Sequence, residues 1–322
     1  MKAIRVDGFG GPEVLRLADV KDPSPGPGEI VVRVEAAGLN FIDVYHRTGL
    51  YPNPLPLVPG MEGAGPVVAV GPGVTRWREG DRVAWAGPLG SYAERALLPA
   101  ERAVAVPAGM ETRTAAALML QGMTAQYLST DTYPLAAGRT CLVHAAAGGV
   151  GLLLVQMAKR RGARVIGTVG TEATAALARE AGADEVILYT KEDFLEAVKR
   201  ITGGRGVDVV YDAVGKETAE RSLDCLAPRG MMVFYGNASG PAPPIDPLVL
   251  SRKGSLFLTR PVLMHYTADR ASLEARAADV LGAALSGRLE VRIDRSYRLA
   301  EAQEAHRALE GRQTAGKILL VP

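Results

Sequence analysis

A chain of 322 residues is longer than one hydrophobic core usually grows, which points to two domains. Its 48% hydrophobic and 22% charged residues are those of an ordinary globular protein and exclude extended disorder. The formal net charge of +2, with no run of five like charges, gives no field for nucleic acid or an anionic membrane, so small molecules are the expected partners.

In chain order, Met1-Lys2-Ala3-Ile4 enters strand-like alternation at once, without the apolar core of a signal peptide. No apolar run reaches membrane-spanning length, and a cytoplasmic location is expected. Short strand patterns follow over 3–6, 30–34, 66–70, 82–85 and 92–98, separated by turns such as Pro25-Gly26-Pro27-Gly28 and Gly71-Pro72-Gly73. The texture then changes. An Ala-rich helix is predicted from Glu111 through Leu128, and after it strands over 140–144, 164–169, 185–188, 207–212, 231–235 and 255–259 alternate with helices. That alternation predicts a doubly wound parallel sheet. Beyond His265 come a helix over 270–285, a strand over 291–297, a helix over 300–309 and a strand over 317–321. The pattern alone leaves open whether these extend the parallel sheet or return to the first domain.

The sharpest local signal runs from Cys141 to Gly151, where an apolar strand enters a turn of residues with little side chain and a helix follows. A dinucleotide pyrophosphate needs bare backbone N–H groups at a helix N-terminus, and Gly148, Gly149, Val150 and Gly151 offer them. Ala146 replaces the first glycine of the usual fingerprint. NAD sites usually carry Asp or Glu about twenty residues past the glycines, at the tip of the second strand. Here the tip reads Gly167-Thr168-Val169-Gly170-Thr171, without a carboxylate, which favours NADPH; the nearby Glu172 is explained by the dipole of the helix it opens.

The two cysteines, Cys141 and Cys225, sit in apolar segments and read as free buried thiols. The four histidines, His46, His144, His265 and His306, are scattered, so no metal site is expected.

Several segments together carry a family resemblance: Asn40-Phe41-Ile42-Asp43-Val44-Tyr45, Pro59-Gly60-Met61-Glu62, Gly80-Asp81-Arg82-Val83, Gly122-Met123-Thr124, His144 to Gly151, Val209 to Gly215, Tyr235-Gly236-Asn237 and Thr259-Arg260-Pro261. In this order and spacing the chain resembles the zinc-independent medium-chain dehydrogenases/reductases, and among them the zeta-crystallin-like NADPH:quinone oxidoreductases. The resemblance implies an α/β protein: a GroES-like β-rich catalytic domain over 1–121, an inserted Rossmann domain with a doubly wound parallel sheet over 122–265, and a segment over 266–322 returning to the catalytic domain. It also implies NADPH as cofactor, a small quinone or enone as substrate, and a homodimer; the near-neutral charge and the short apolar runs, rather than the resemblance, give the expectation of no nucleic-acid or membrane partner. The dimer is expected to meet along the strand over 255–259, whose apolar edge invites a twofold partner.

The same resemblance assigns cofactor contacts to Asn40, Thr124 and Tyr127, and to Gly149, Val150, Gly170 and Thr171. It further assigns Tyr189, Val214, Tyr235, Gly236, Asn237, Arg260 and Lys317. Where relatives often place a lysine for the 2′-phosphate this chain has Thr174, leaving a neutral hydroxyl. Zinc-dependent members ligate their metal at positions that here read Asn40 and Met61, neither a useful zinc ligand. Asn40, Tyr45 and Tyr51 are the candidate catalytic residues: Asn40 beside the nicotinamide, the tyrosines at the substrate mouth. Asp43 and Glu62 are expected to hold neighbouring polar groups rather than act as bases, His46 to be an exposed loop residue and His144 a packed strand end. Arg47 is the one cation of the Asn40–Tyr51 segment. Reduction of an α,β-unsaturated carbonyl is the alternative activity, and a non-catalytic crystallin-like or RNA-binding role a third reading.

Overall fold

Residues 1–123 and 266–322 fold into one unit and residues 124–265 into another. The structure, a computed structural model, describes residues 1–322.

In the first unit an eight-stranded sheet runs in the order Ile293–Arg298, Lys317–Val321, Ala36–Leu39, Glu62–Val70, Glu29–Arg33 and Arg95–Pro99, with Arg82–Ala86 and Ala103–Ala105 branching from Glu62–Val70. Neighbours are antiparallel except for the pair of C-terminal strands. The last strand, Lys317–Val321, is apolar and buried on both sides because it is central, and it pairs with Ala36–Leu39 so that Ile318 faces Leu39. That register delivers Lys317 beside Asn40. Trp85, Tyr92, Leu98, Ile318 and Leu320 belong to the core beneath.

Among the elements of this unit that escape the sequence pattern, three bear on the site or its sheet. The strand Ala36–Leu39 has small residues buried without alternation, and the strand Arg16–Asp19 pairs with Lys2–Arg5 in a two-stranded sheet. The helix Phe41–Thr48 contains β-branched and aromatic residues of modest helical propensity. It is closed at its end by Gly49 at φ 80°, the left-handed conformation that glycine adopts without steric cost.

The second unit is a six-stranded sheet in the order Glu185–Leu188, Arg164–Val169, Thr140–Val143, Val207–Asp212, Leu226–Phe234 and Phe257–Thr259. All its pairs are parallel. The strand order reverses at Thr140–Val143, the place where doubly wound sheets bind ligands beyond their strand ends. Its core includes Leu142, Ile166, Ile187, Val210 and Met232. No helix of the protein is long and apolar enough to cross a membrane.

Candidate active site

The strand Ala36–Leu39 ends at Asn40, whose extended backbone starts the helix Phe41–Thr48. The Asn40 N–H donates to Asp43 Oδ2 at 2.8 Å, one half of a capping box. The Asn40 side chain is held on every side: Nδ2 donates to Gly38 O at 3.1 Å and to Glu62 Oε2 at 2.8 Å, and Oδ1 accepts from Lys317 Nζ at 2.9 Å. Lys317 also forms a salt bridge with Glu62, whose other oxygen accepts the Leu120 N–H at 2.6 Å. Gly38 is what leaves room, since a Cβ there would stand 2.2 Å from Glu62 Oε2 and 2.7 Å from Lys317 Cε. Burial pushes the Lys317 ammonium below its ordinary range while the Glu62 carboxylate acts in the opposite direction.

The structure does not present Lys317 as a surface contact: its side chain is wholly enclosed, with Asn40 Oδ1 and the Glu62 carboxylate as its partners. Glu62 and Asp43 hold neighbouring groups, as the sequence suggests.

A second buried chain leads away from Asp43. Tyr92 Oη lies 3.0 Å from Asp43 Oδ2 and 3.3 Å from His306 Nε2, and Arg47 Nη1 lies 3.1 Å from His306 Nδ1. Arg47 only donates, so Nδ1 accepts, Nε2–H donates to the Tyr92 oxygen, and the Tyr92 hydroxyl donates to Asp43. Arg47 also grips Glu310 with two bonds of 2.8 Å. Burial raises the Asp43 carboxyl to about 7, against the opposing bonds from Asn40 and Tyr92. Burial, with the Arg47 charge, lowers His306 to about 3.

Two expectations for this helix change. His46 is not an exposed loop residue; it lies on the helix, buried, and desolvation lowers its pKa. Arg47 is not free to hold an anionic substrate, being enclosed and committed to Glu310. Tyr45 and Tyr51 do come together, edge to face at 5.2 Å between ring centroids, with Tyr45 buried and Tyr51 half-buried.

In the parallel-sheet unit the strand Thr140–Val143 feeds the turn before the helix Gly149–Arg160. No side chain caps this helix, so the N–H groups of Gly149, Val150 and Gly151 meet no capping oxygen. A Cβ on Gly151 would stand 2.2 Å from Ala145 O, so only glycine fits there. The departure at Ala146 is accommodated across the turn, where Gly167 has no Cβ to meet the Ala146 methyl. His144 is the packed strand end expected, 2.9 Å from both Thr168 Oγ1 and Ser222 Oγ.

At the tip of the second strand, Thr171 caps the helix Glu172–Glu180 and Gly170 lies beneath the Tyr189 hydroxyl. The Thr174 hydroxyl takes part in that cap: it donates to Thr171 O at 2.9 Å and accepts the Thr171 N–H at 3.1 Å. Lys191, two residues past Tyr189 and not singled out by the sequence pattern, brings its ammonium to Glu172 at 2.7 Å.

Farther along, Asp212 accepts the N–H groups of Val214 at 2.7 Å and Gly215 at 2.9 Å, and its carbonyl accepts that of Tyr235 at 2.8 Å. These bonds fold the loops bearing Val214 and Tyr235-Gly236-Asn237 at the ends of adjacent strands. Arg260, next after the edge strand Phe257–Thr259, donates through its guanidinium to Phe234 O at 3.0 Å. Thr124 and Tyr127 are buried on the helix Thr112–Tyr127.

Residues 26–108 match the family model described as an alcohol dehydrogenase GroES-like domain, and residues 149–268 that described as a zinc-binding dehydrogenase. A quinone oxidoreductase of Pseudomonas aeruginosa is 49% identical over all of this chain and 99% of its own. A 2-haloacrylate reductase of a Burkholderia species is 46% identical, covering 97% of this chain and 96% of its own. The structure of Escherichia coli quinone oxidoreductase complexed with NADPH superimposes with a TM-score of 0.98 at 45% identity, covering 100% of both chains. The zinc implied by the second model does not fit the residues present: the Glu62 oxygens are taken by Asn40, Lys317 and the Leu120 N–H, and no three His, Cys, Asp or Glu side chains cluster as ligands.

Proposed function

The chain belongs to the quinone oxidoreductases of the medium-chain dehydrogenase/reductase superfamily, and from that premise we propose that it transfers hydride from NADPH to a small, electron-poor quinone without a metal. The observation that carries the cofactor half is the uncapped glycine turn, whose bare N–H groups and missing Cβ atoms suit a pyrophosphate. Bound NADPH supplies the hydride; the protein supplies grip, orientation and dryness.

In this reading Gly148, Gly149 and Val150 hold the pyrophosphate, and Gly170, Thr171 and Tyr189 border the adenosine ribose. Val214, Tyr235, Gly236, Asn237, Arg260, Thr124 and Tyr127 shape the remainder of the cofactor site. Asn40 fixes the nicotinamide, and Tyr45 and Tyr51 offer the acceptor an aromatic face. With Arg47 enclosed, the Asn40–Tyr51 segment has no cation for a carboxylate or phosphate, which favours a neutral planar acceptor. No dedicated protein acid is needed, because the reduced oxygens are protonated by solvent.

The test is steady-state reduction of 1,4-benzoquinone with NADPH after exhaustive chelation. Turnover is expected to be unaffected by chelator, and Tyr51→Ala to raise KM for quinone more than for NADPH. Turnover of unsaturated ketones without quinone reduction would transfer the assignment to enone reduction, the second reading favoured by the 2-haloacrylate reductase relative. Activity lost to chelator and restored by zinc would overturn the metal-free mechanism.

The proposal includes a homodimer joined at the edge strand Phe257–Thr259, where Phe257 and Leu258 are exposed, and light scattering that returns a monomer mass would remove it. We place the protein in the cytoplasm, whose reducing conditions suit two free, buried cysteines, a location that cell fractionation checks. A nucleic-acid role is not part of the reading, given the net charge of +2, and filter binding to RNA at physiological salt tests that.

A further inference from the structure

Resting on the NADPH reading above, we propose that Lys317 and Glu62 are positioning residues that leave the Asn40 amide a hydrogen-bond acceptor only. Asn40 then recognises an N–H donor, the carboxamide of the nicotinamide, and does not bind the oxygen of a quinone.

The orientation of this amide follows from its neighbours. A lysine ammonium can only donate, whereas an ionised carboxylate and a peptide carbonyl can only accept. Both Nδ2 protons are consumed, by Gly38 O at 3.1 Å and Glu62 Oε2 at 2.8 Å, and Oδ1 accepts from Lys317 at 2.9 Å. Rotating the amide by half a turn would set its oxygen against two oxygens and its NH2 against the ammonium. The Asp43 N–H is turned toward the Asn40 side chain in the capping box, but its hydrogen bond goes to the Asn40 backbone carbonyl at 3.0 Å. One lone pair of Oδ1 is the capacity left.

Accessibility points the same way. Lys317 and Glu62 have 0% of their surface exposed and Asn40 retains 3%, so of the three only Asn40 has any surface that a group can reach. The carboxamide of a nicotinamide carries N–H donors and a quinone carries none. At the position where metal-dependent relatives hold zinc, this chain thus sets a fixed acceptor backed by a buried ion pair.

The test compares equilibrium binding of NADP⁺ with that of its 3-acetylpyridine analogue, in which a methyl ketone replaces the carboxamide and removes its N–H donors. The wild type is expected to prefer NADP⁺ by roughly tenfold, the value of one hydrogen bond. Asn40→Ala and the charge-neutral double variant Lys317→Met/Glu62→Gln are each expected to bring that ratio near 1. Binding of 2′,5′-ADP, which has no nicotinamide, should be the same in all three proteins. In turnover, Asn40→Ala should lower kcat and leave KM for 1,4-benzoquinone within about twofold, because the amide aligns the cofactor rather than the acceptor. Asn40→Ala leaves the buried pair in place and decides the matter even if the double variant does not fold. A wild-type ratio near 1, or a ratio that survives in Asn40→Ala or in a folded double variant, would overturn the inference while leaving the NADPH reading intact. Failure of the wild type to bind either NADP⁺ or 2′,5′-ADP would overturn both.

Discussion

Two ion pairs of almost the same length lie in regions of opposite character. Arg47 meets Glu310 at 2.8 Å with 1% and 32% of their side chains exposed, and Lys191 meets Glu172 at 2.7 Å with 64% and 63% exposed. Distance does not distinguish them; the surroundings do. The enclosed pair sits in a chain of directed bonds that fixes His306, Tyr92 and Asp43, whereas the open pair is screened by water and free to exchange partners. The difference teaches where this protein is rigid and where it can respond to a ligand.

The largest effect is expected from breaking the enclosed pair. Arg47→Ala leaves the Glu310 carboxylate and His306 Nδ1 without their donor and opens a cavity, and should lower the unfolding free energy by about 3–5 kcal/mol. Arg47→Met, which restores apolar volume, should cost less. Urea denaturation reads both, and a loss below about 1 kcal/mol for the alanine variant would remove the distinction between the regions.

The same enclosed chain holds two groups whose titrations oppose each other. Asp43 is raised to about 7, so its contribution to stability is complete below the unfolded carboxylate value of about 3.9 and is lost as pH rises through about 7. His306 is lowered to about 3, so its contribution is present above the unfolded value of about 6.5 and is lost as pH falls through about 3. Between about pH 4 and pH 6.5 the two slopes, each up to about 1.4 kcal/mol per pH unit, nearly cancel. Relative to the wild type, Asp43→Asn should therefore become more stable as pH rises from 4 to 7. His306→Gln should instead lose its disadvantage as pH falls from 6.5 toward 4. Parallel pH profiles for all three proteins would show that the groups are not titrating as a buried pair.

Legibility in the sequence divides along the same line. The strand, turn and helix from Thr140 to Arg160 were readable because every residue of the motif is local, and strand–helix alternation then announced the parallel sheet. The Asn40 cluster was not readable, because Lys317 reaches Asn40 across 277 positions and Glu62 across 255, and only the sheet register brings them together. Family resemblance marked Lys317 without revealing that it is enclosed. Arg47 looked like a spare cation for the same reason, its partner Glu310 being 263 residues away. Thr174 differs: its hydroxyl is drawn into a helix cap only three residues away, a competition that composition does not reveal.

The smallest effects belong to the open pair, and they are effects on selectivity. With the Thr174 hydroxyl engaged in the cap, the expectation to test is that the exposed Lys191 leaves Glu172 for a 2′-phosphate, with Glu172 competing for it. The wild type is accordingly expected to prefer NADPH over NADH by about tenfold in kcat/KM, a modest preference because the cation must first be released. Lys191→Ala should reduce that preference by roughly fivefold, with kcat/KM for NADH and the denaturation midpoint unchanged. Glu172→Gln should move it the other way, by a few-fold, because the lysine then has no competing carboxylate. Raising the ionic strength should weaken the wild-type preference and leave that of Lys191→Ala nearly flat, as an exposed charge contact requires. If both substitutions shift the preference in the same direction, the exchange of partners at Lys191 is wrong and the selectivity must come from Thr171 and Tyr189 alone.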